Sequence, residues 1–291
     1  MAGAVGLNIP VVAVEVGQMQ SSAPRIFGIP AKEAPIVAVI RRGPTDWSHI
    51  GAWFTDDGLY EPGAWLRGQV YPQKCDLSPD GRWLVYSAMS YPGDWPAGQI
   101  YEAISRLPWL TALAAWNSGT TYTRGMHFVD ERDDSDVGDP DVGDATPCLQ
   151  RFGLRWTRSG QFAVENRRGW VESADTPSRE AGGPWDERRR VEMVRPQPGG
   201  TVTLHVDGAY AGFRSGHPSE DPPTYWTVTG NRMDVLEEAQ WADWDAHGRL
   251  LVATTDGRLQ TRSLDGRVAD VASLAELTPE SVPAPSWASE W

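Results

Sequence analysis

One short pattern recurs along this chain and limits its fold more than any feature of its composition. It is a glycine turn followed by a β-rich apolar run, with an arginine after the glycine in the two clearest copies. The clearest copy reads Cys75-Asp76-Leu77-Ser78-Pro79-Asp80-Gly81-Arg82-Trp83-Leu84-Val85-Tyr86. Proline sets φ at the first corner and glycine accepts positive φ at the last, so Pro79-Asp80-Gly81 is a turn and Trp83 to Tyr86 a buried strand. Aligned on the glycine, Asp243 to Ala253 repeats it, with Asp243 on Asp76, Arg249 on Arg82 and the apolar runs in step. A third copy, Arg155 to Val164, turns at Gly160 and places Trp156 on Trp244. The turn glycines at 81, 160 and 248 are spaced by roughly twice forty residues. Weaker copies at Gly119 and Gly208 fill the halfway slots.

A period near forty with several short strands per period predicts an all-β fold, a single β-propeller of about six blades. Arg41 to Trp53 supplies a blade upstream of the first clear copy, and five or seven blades also fit. A β-sandwich or another all-β repeat fold is the alternative. The 30 glycines and 23 prolines are spread along the chain, which suits many turns and few long helices. The domain is expected over residues 25–275, after an N-terminal segment 1–24 that could add a closing strand and before a Pro/Ser/Trp-rich tail, 276–291.

The run Ser78-Pro79-Asp80-Gly81 followed by Trp83-Leu84-Val85-Tyr86 resembles the repeat of the TolB-like β-propeller superfamily. The resemblance covers about a dozen residues and is partial at Gly160 and Gly248. It implies a blade hairpin and transfers no functional residue.

The net charge of −13 is concentrated in one stretch. Asp130 to Asp144 holds eight carboxylates and one arginine, a net −7, and the rest of the chain carries −6. A chain this acidic, whose basic residues are nearly all arginine, is not expected to bind nucleic acid or an anionic membrane surface, which need clustered positive charge. The longest apolar stretches, such as Pro108 to Trp116, are too short to span a bilayer. No Lys or Arg precedes residue 25, so a cytoplasmic location is expected. Cys75 and Cys148 cannot form a disulfide framework in a domain of this size.

No nucleophile elbow, zinc-binding helix motif, Cys-x-x-Cys or phosphate loop is present. The leading expectation is a non-enzymatic propeller that binds a protein or peptide partner on one rim, with no cofactor. The alternative is an enzyme or carbohydrate-binding protein with a site at the mouth of the central channel, built from Trp47, His49 and His127. Those two histidines have aromatic neighbours and could serve as acid, base or ligand. His205 alternates with Thr203 and Asp207, which puts it on the wet face of a strand. The acidic segment is expected to be an exposed loop without metal, with a cation held by Asp134, Asp136, Asp139 and Asp141 as the weaker alternative. Trp83, Trp156 and Trp244 are expected to be packing residues. Trp95, Trp185, Trp287 and Trp291, in loops, could plug blade ends or anchor a partner.

Overall fold

The computed structural model describes residues 24–43, 46–90, 98–119, 125–128, 154–156, 163–173, 190–209 and 223–290. The fold is all-β and built from antiparallel meanders. Strands β1 (Arg25–Pro30), β2 (Ile36–Arg42), β3 (Trp47–Phe54) and β4 (Leu59–Val70) pair in sequence. The end of β4 passes to a second meander of β5 (Asp76–Leu77), β6 (Trp83–Ser90), β7 (Ile100–Arg106) and β8 (Ala114–Asn117). β9 (Met126–Phe128) pairs with β10 (Leu154–Trp156). A short helix α1 (Ala163–Arg167) leads to a five-stranded sheet of β11 (Val171–Glu172), β12 (Arg190–Pro196), β13 (Thr203–Ala209), β14 (Thr224–Thr229) and β15 (Arg232–Val235). The last meander is β16 (Ala239–Trp244), β17 (Leu250–Thr254), β18 (Arg258–Arg262) and β19 (Val268–Ser273).

β1–β8 form one continuous eight-stranded sheet whose two halves face each other. Side chains alternate across a strand, so each meander has two faces, and burying them packs the meanders in a row. One face of β1–β4, with Ala38, Ile40, Ile50 and Ala52, packs on Leu84, Tyr86, Ala88 and Tyr101 of the second meander. The second meander's other face, with Val85 and Ile104, packs on Met126 and Phe128 of β9. The opposite face of β1–β4, with Ile26, Val37, Val39 and Trp53, packs on Trp241, Leu251 and Ala253 of the last meander. That meander's remaining face, with Ala242, Trp244, Leu250 and Val252, packs on Val191, Met193, Leu204 and Val206 of the five-stranded sheet. The first and last sheets in sequence are therefore neighbours in space.

Polar contacts fasten the same junction. The Gln240 side chain accepts from the Ile26 amide (3.0 Å) and donates to the Pro24 and Thr254 carbonyls (3.1 and 2.6 Å). At the far end of the strands the buried Asp245 carboxylate accepts from Thr55 (2.9 Å) and Arg249 (2.6 Å), while Arg249 also reaches Asp56 (2.6 Å).

Gly81 and Gly248 occupy equivalent turns, each joining the first strand of a meander to its second. Their φ angles are +76° and +75°, and each amide donates to the carbonyl three residues back, Ser78 (2.9 Å) and Asp245 (3.1 Å). The first hairpin holds one residue more, since Asp76 lies opposite Val85 but Asp243 opposite Leu251. The module also recurs at Thr254-Thr255-Asp256-Gly257-Arg258 and Ser263-Leu264-Asp265-Gly266-Arg267, the next two turns of the same sheet. In three copies the leading hydroxyl donates to the aspartate, whose other oxygen takes the arginine (2.6, 2.9 and 2.8 Å). The pattern thus specifies a hairpin turn and does not count one per blade.

The halfway slots do not hold. Gly119 follows the last strand of its meander, and Gly208 lies within β13 opposite Val191. A Val-Asp-Gly string without the leading hydroxyl lacks the side-chain bonds that close the turn, and the ladder claims it. Gly160 lies outside the described residues. Ala163 and Val164, expected in a strand, begin α1, where the Arg168 amide bonds the Glu165 carbonyl (2.9 Å) and Gly169 ends the turn at φ +87°.

Substitution at these turns should separate two costs. A Cβ on Gly266 (φ +88°) meets nothing within 4 Å, whereas one on Gly81 lies 2.9 Å from the branch carbon of Ile36. Gly266→Ala should cost about 1 kcal/mol, the positive-φ term alone, and Gly81→Ala clearly more. Urea midpoints of the two variants test this; equal shifts would contradict the packing of Ile36 against the turn.

The Pro/Ser/Trp tail runs back along the second meander. Arg106 donates to the Trp287 carbonyl (3.0 Å), and its guanidinium lies over the Trp287 and Trp83 rings at 5.3 and 5.4 Å.

Candidate functional site

Trp47 and His49 come together, but in a packed seam between sheets. Arg41, His49 and Trp65 are cross-strand neighbours on β2, β3 and β4. The His49 ring lies 4.6 Å from the Trp65 ring, and Trp47 meets Trp65 edge-on at 6.5 Å. His49 Nδ1 hydrogen-bonds the Tyr60 hydroxyl (3.2 Å), and Arg41 donates to the Leu274 carbonyl (2.7 Å) and to the Gly43 carbonyl. His49 is buried. Burial first, and the Arg41 charge second, hold its pKa down to about 4, so the ring is neutral at pH 7.

That depression sets a pH dependence. The unfolded chain takes up the proton near the ordinary imidazole value of 6.5 and the folded one only near 4. The stability His49 contributes is therefore complete above pH 6.5 and is lost as pH falls towards 4, by roughly 3 kcal/mol. His49→Gln should flatten that limb of a stability–pH profile relative to the parent. Parallel profiles would show that His49 titrates normally.

His127 lies elsewhere. It is buried on β9, where strand alternation turns it away from Met126 and Phe128, and its backbone pairs with Arg155. The three channel-mouth candidates thus do not converge. Among the tryptophans, Trp244 is fully buried and Trp83 half-buried. Trp156 is in β10, and Trp95, Trp185 and Trp291 lie outside the described residues. So does the acidic segment with Asp134, Asp136, Asp139 and Asp141, and so does Cys148. Cys75 is buried, which pushes its thiol up to about 12. Among the described residues no group of three or more acidic, histidine or cysteine side chains is placed to hold a metal.

The polar and aromatic side chains that do converge were not singled out by the sequence. A cavity of about 100 Å³ lies where β1, the turn at Pro72–Lys74, α1, the five-stranded sheet and β16 meet. Phe27, Trp170, Tyr225 and Trp241 contribute aromatic rings, and Glu165, Arg168 and Asp243 contribute charge. Two aspartates in matching positions on β5 and β16 organise the charges. Asp76 accepts from the amide of the following residue, Leu77 (3.0 Å), from the Phe128 amide (3.0 Å) and from Arg168 (2.6 Å). Asp243 likewise accepts from the amide of its successor, Trp244 (2.8 Å), from Trp170 Nε1 (3.3 Å) and from Arg195. The alignment of Asp76 with Asp243 is therefore an equivalence in three dimensions.

Glu165, from α1, is the third carboxylate. No arginine forms a salt bridge with it among the described residues. Burial raises its pKa; Arg168 opposes the rise, and Asp76 and Asp243 add to it. Burial first, and the Asp243 charge next, push the Tyr225 phenol up too. Half-buried groups among the walls, Phe27, Gln73, Glu165, Arg168 and Gln240, give solvent access. Chemically the cavity is an aromatic-walled chamber with two neutralised Asp–Arg pairs and one surplus carboxylate.

Comparison with models of known families, with curated proteins and with solved structures finds no match to this chain.

Proposed function

We propose that this chain is a non-catalytic β-propeller that binds a protein or peptide partner, with the axial cavity as the centre of the binding surface. Two features support the propeller reading: the meanders pack face to face in a row, and that row brings the first sheet in sequence against the last, as successive blades around an axis do. The described strands form four sheets, and counting the two halves of the eight-stranded β1–β8 sheet separately gives five meanders, one fewer than the turn spacing suggests. The observation that carries the binding reading is the cavity itself, since concave, mostly apolar chambers with a few fixed polar groups are where proteins take up ligands.

A second reading places the partner on the outward face of β11–β15. There Val171, Val194, His205, Trp226 and Val235 form one row across five strands, and Val171, Met233 and Val235 are exposed. The His205 ring lies on Trp226 (5.2 Å, 19°) and hydrogen-bonds Thr203 (2.8 Å) and Glu192 (3.2 Å). Apolar patches of this kind mark interaction surfaces.

Selection of a random peptide library on the full chain, followed by titration of the enriched sequences, tests both. Binding weakened by Glu165→Gln supports the cavity, and binding weakened by Trp226→Ala supports the outward face. Failure to enrich any sequence, or binding indifferent to both variants, would overturn the partner reading.

A further inference from the structure

We infer that the axial cavity is a seat for a protonated alkylamine, with Glu165 as its counter-ion and the surrounding rings as its walls. The inference rests on the cavity being a binding site and adds the chemistry of what enters it.

The first argument is charge. Asp76 is neutralised by Arg168 at 2.6 Å and Asp243 by Arg195, and both pairs are largely buried. Among the described residues Glu165 is left as one carboxylate in excess. A carboxylate partly withdrawn from water, as half-buried Glu165 is, and without an ion-pair partner is stabilised by taking a proton or recruiting a cation. The rise of the Glu165 carboxyl above its usual range shows that the site already favours neutralisation.

The second argument is the walls. Phe27, Trp170, Tyr225 and Trp241 line the same chamber. Aromatic faces attract cations, and more strongly where water is excluded, which is how quaternary and alkyl ammonium groups are recognised. They repel a second anion and give a hydrated metal ion little to bind. The third argument is size. About 100 Å³ is several times the roughly 15 Å³ one water needs, enough for an ammonium head with a few methylenes. A lysine side chain of a peptide and a free small amine share this chemistry.

The test is titration of propylammonium chloride into the full chain at constant ionic strength, read as tryptophan fluorescence and as a shift in Tm. n-Propanol serves as the neutral isostere, and a short lysine-containing peptide and its acetylated form as a second arm. The expected result is saturable binding of propylammonium, at least tenfold weaker in Glu165→Gln and absent for n-propanol. Glu165→Gln removes a charge the fold leaves unpaired, so the variant should keep the parent's Tm or exceed it. Propylammonium binding with no response to the lysine peptide would identify a free amine as the ligand, upholding the inference while counting against the partner reading. Discrimination between the lysine peptide and its acetylated form would uphold both. No saturable response to propylammonium, or an equal response in Glu165→Gln, would overturn the inference even if enriched peptides bind elsewhere.

Discussion

Trp244→Ala is expected to lower the stability of the chain by about 3–5 kcal/mol, a large share of what holds a domain folded. Trp244 is fully buried in the core between the last meander and the five-stranded sheet, among Ala242, Leu250 and Val252 from its own sheet and Val191, Met193 and Leu204 from the other. Its indole N–H donates to the Arg195 carbonyl (3.2 Å). Truncation removes a fully buried indole from that interface and leaves a cavity that the two ladders cannot close. Trp244→Phe keeps most of the bulk and loses one hydrogen bond, worth about 1 kcal/mol, so it should fall well short of the alanine variant. Urea midpoints of the two variants decide it. Equal midpoints would mean that the hydrogen bond, and not the volume, is what the position requires.

Asp243→Ala should cost a comparable amount by a different route. The Arg195–Asp243 pair is almost wholly buried, with 12% and 5% of the side chains exposed. Removing the carboxylate strands the guanidinium and leaves the Trp244 amide and the Trp170 indole without their acceptor. Breaking such a pair typically costs about 3–5 kcal/mol, whereas replacing both partners with apolar residues of similar volume is far milder. Asp243→Leu combined with Arg195→Met should therefore recover much of the loss in a denaturant titration. If the double variant is no better than Asp243→Ala, the hydrogen bonds to Trp244 and Trp170 matter more than the stranded charge.

The sequence made the hairpins legible because their chemistry is local. Ser78, Asp80, Gly81 and Arg82 close a turn with bonds confined to five residues, so the string announces its own geometry. The same locality misleads about the period. Nothing in Thr254 to Arg258 or Ser263 to Arg267 says that these turns join strands within one sheet, spaced nine residues apart. Asp76 and Asp243 were visible as a match because each caps its own following residue at the same point of a meander. Their arginines were not, since Arg168 and Arg195 reach them from 92 and 48 residues away. The cavity was hidden for the same reason: Phe27, Glu165, Tyr225 and Trp241 share no spacing and meet only when five separate segments pack. The histidines drew notice for their aromatic neighbours, and His49 does touch Trp65, yet the contact is a packed seam.

The packing of the first sheet against the last is the claim on which the rest depends, and a double-mutant cycle between Gly28 and Trp241 tests it most directly. A Cβ on Gly28 would lie 2.3 Å from the outer ring atoms of Trp241, a residue 213 positions away. Gly28→Ala alone should be clearly destabilising, because the indole must shift out of a packed core. In a Trp241→Leu background those ring atoms are gone and the same methyl should be nearly harmless. The account predicts a coupling free energy of at least 1 kcal/mol between the two sites, within the range found for residues in contact. Additivity of the two substitutions would mean that the sheets are not neighbours, and the cavity where they meet would have no basis.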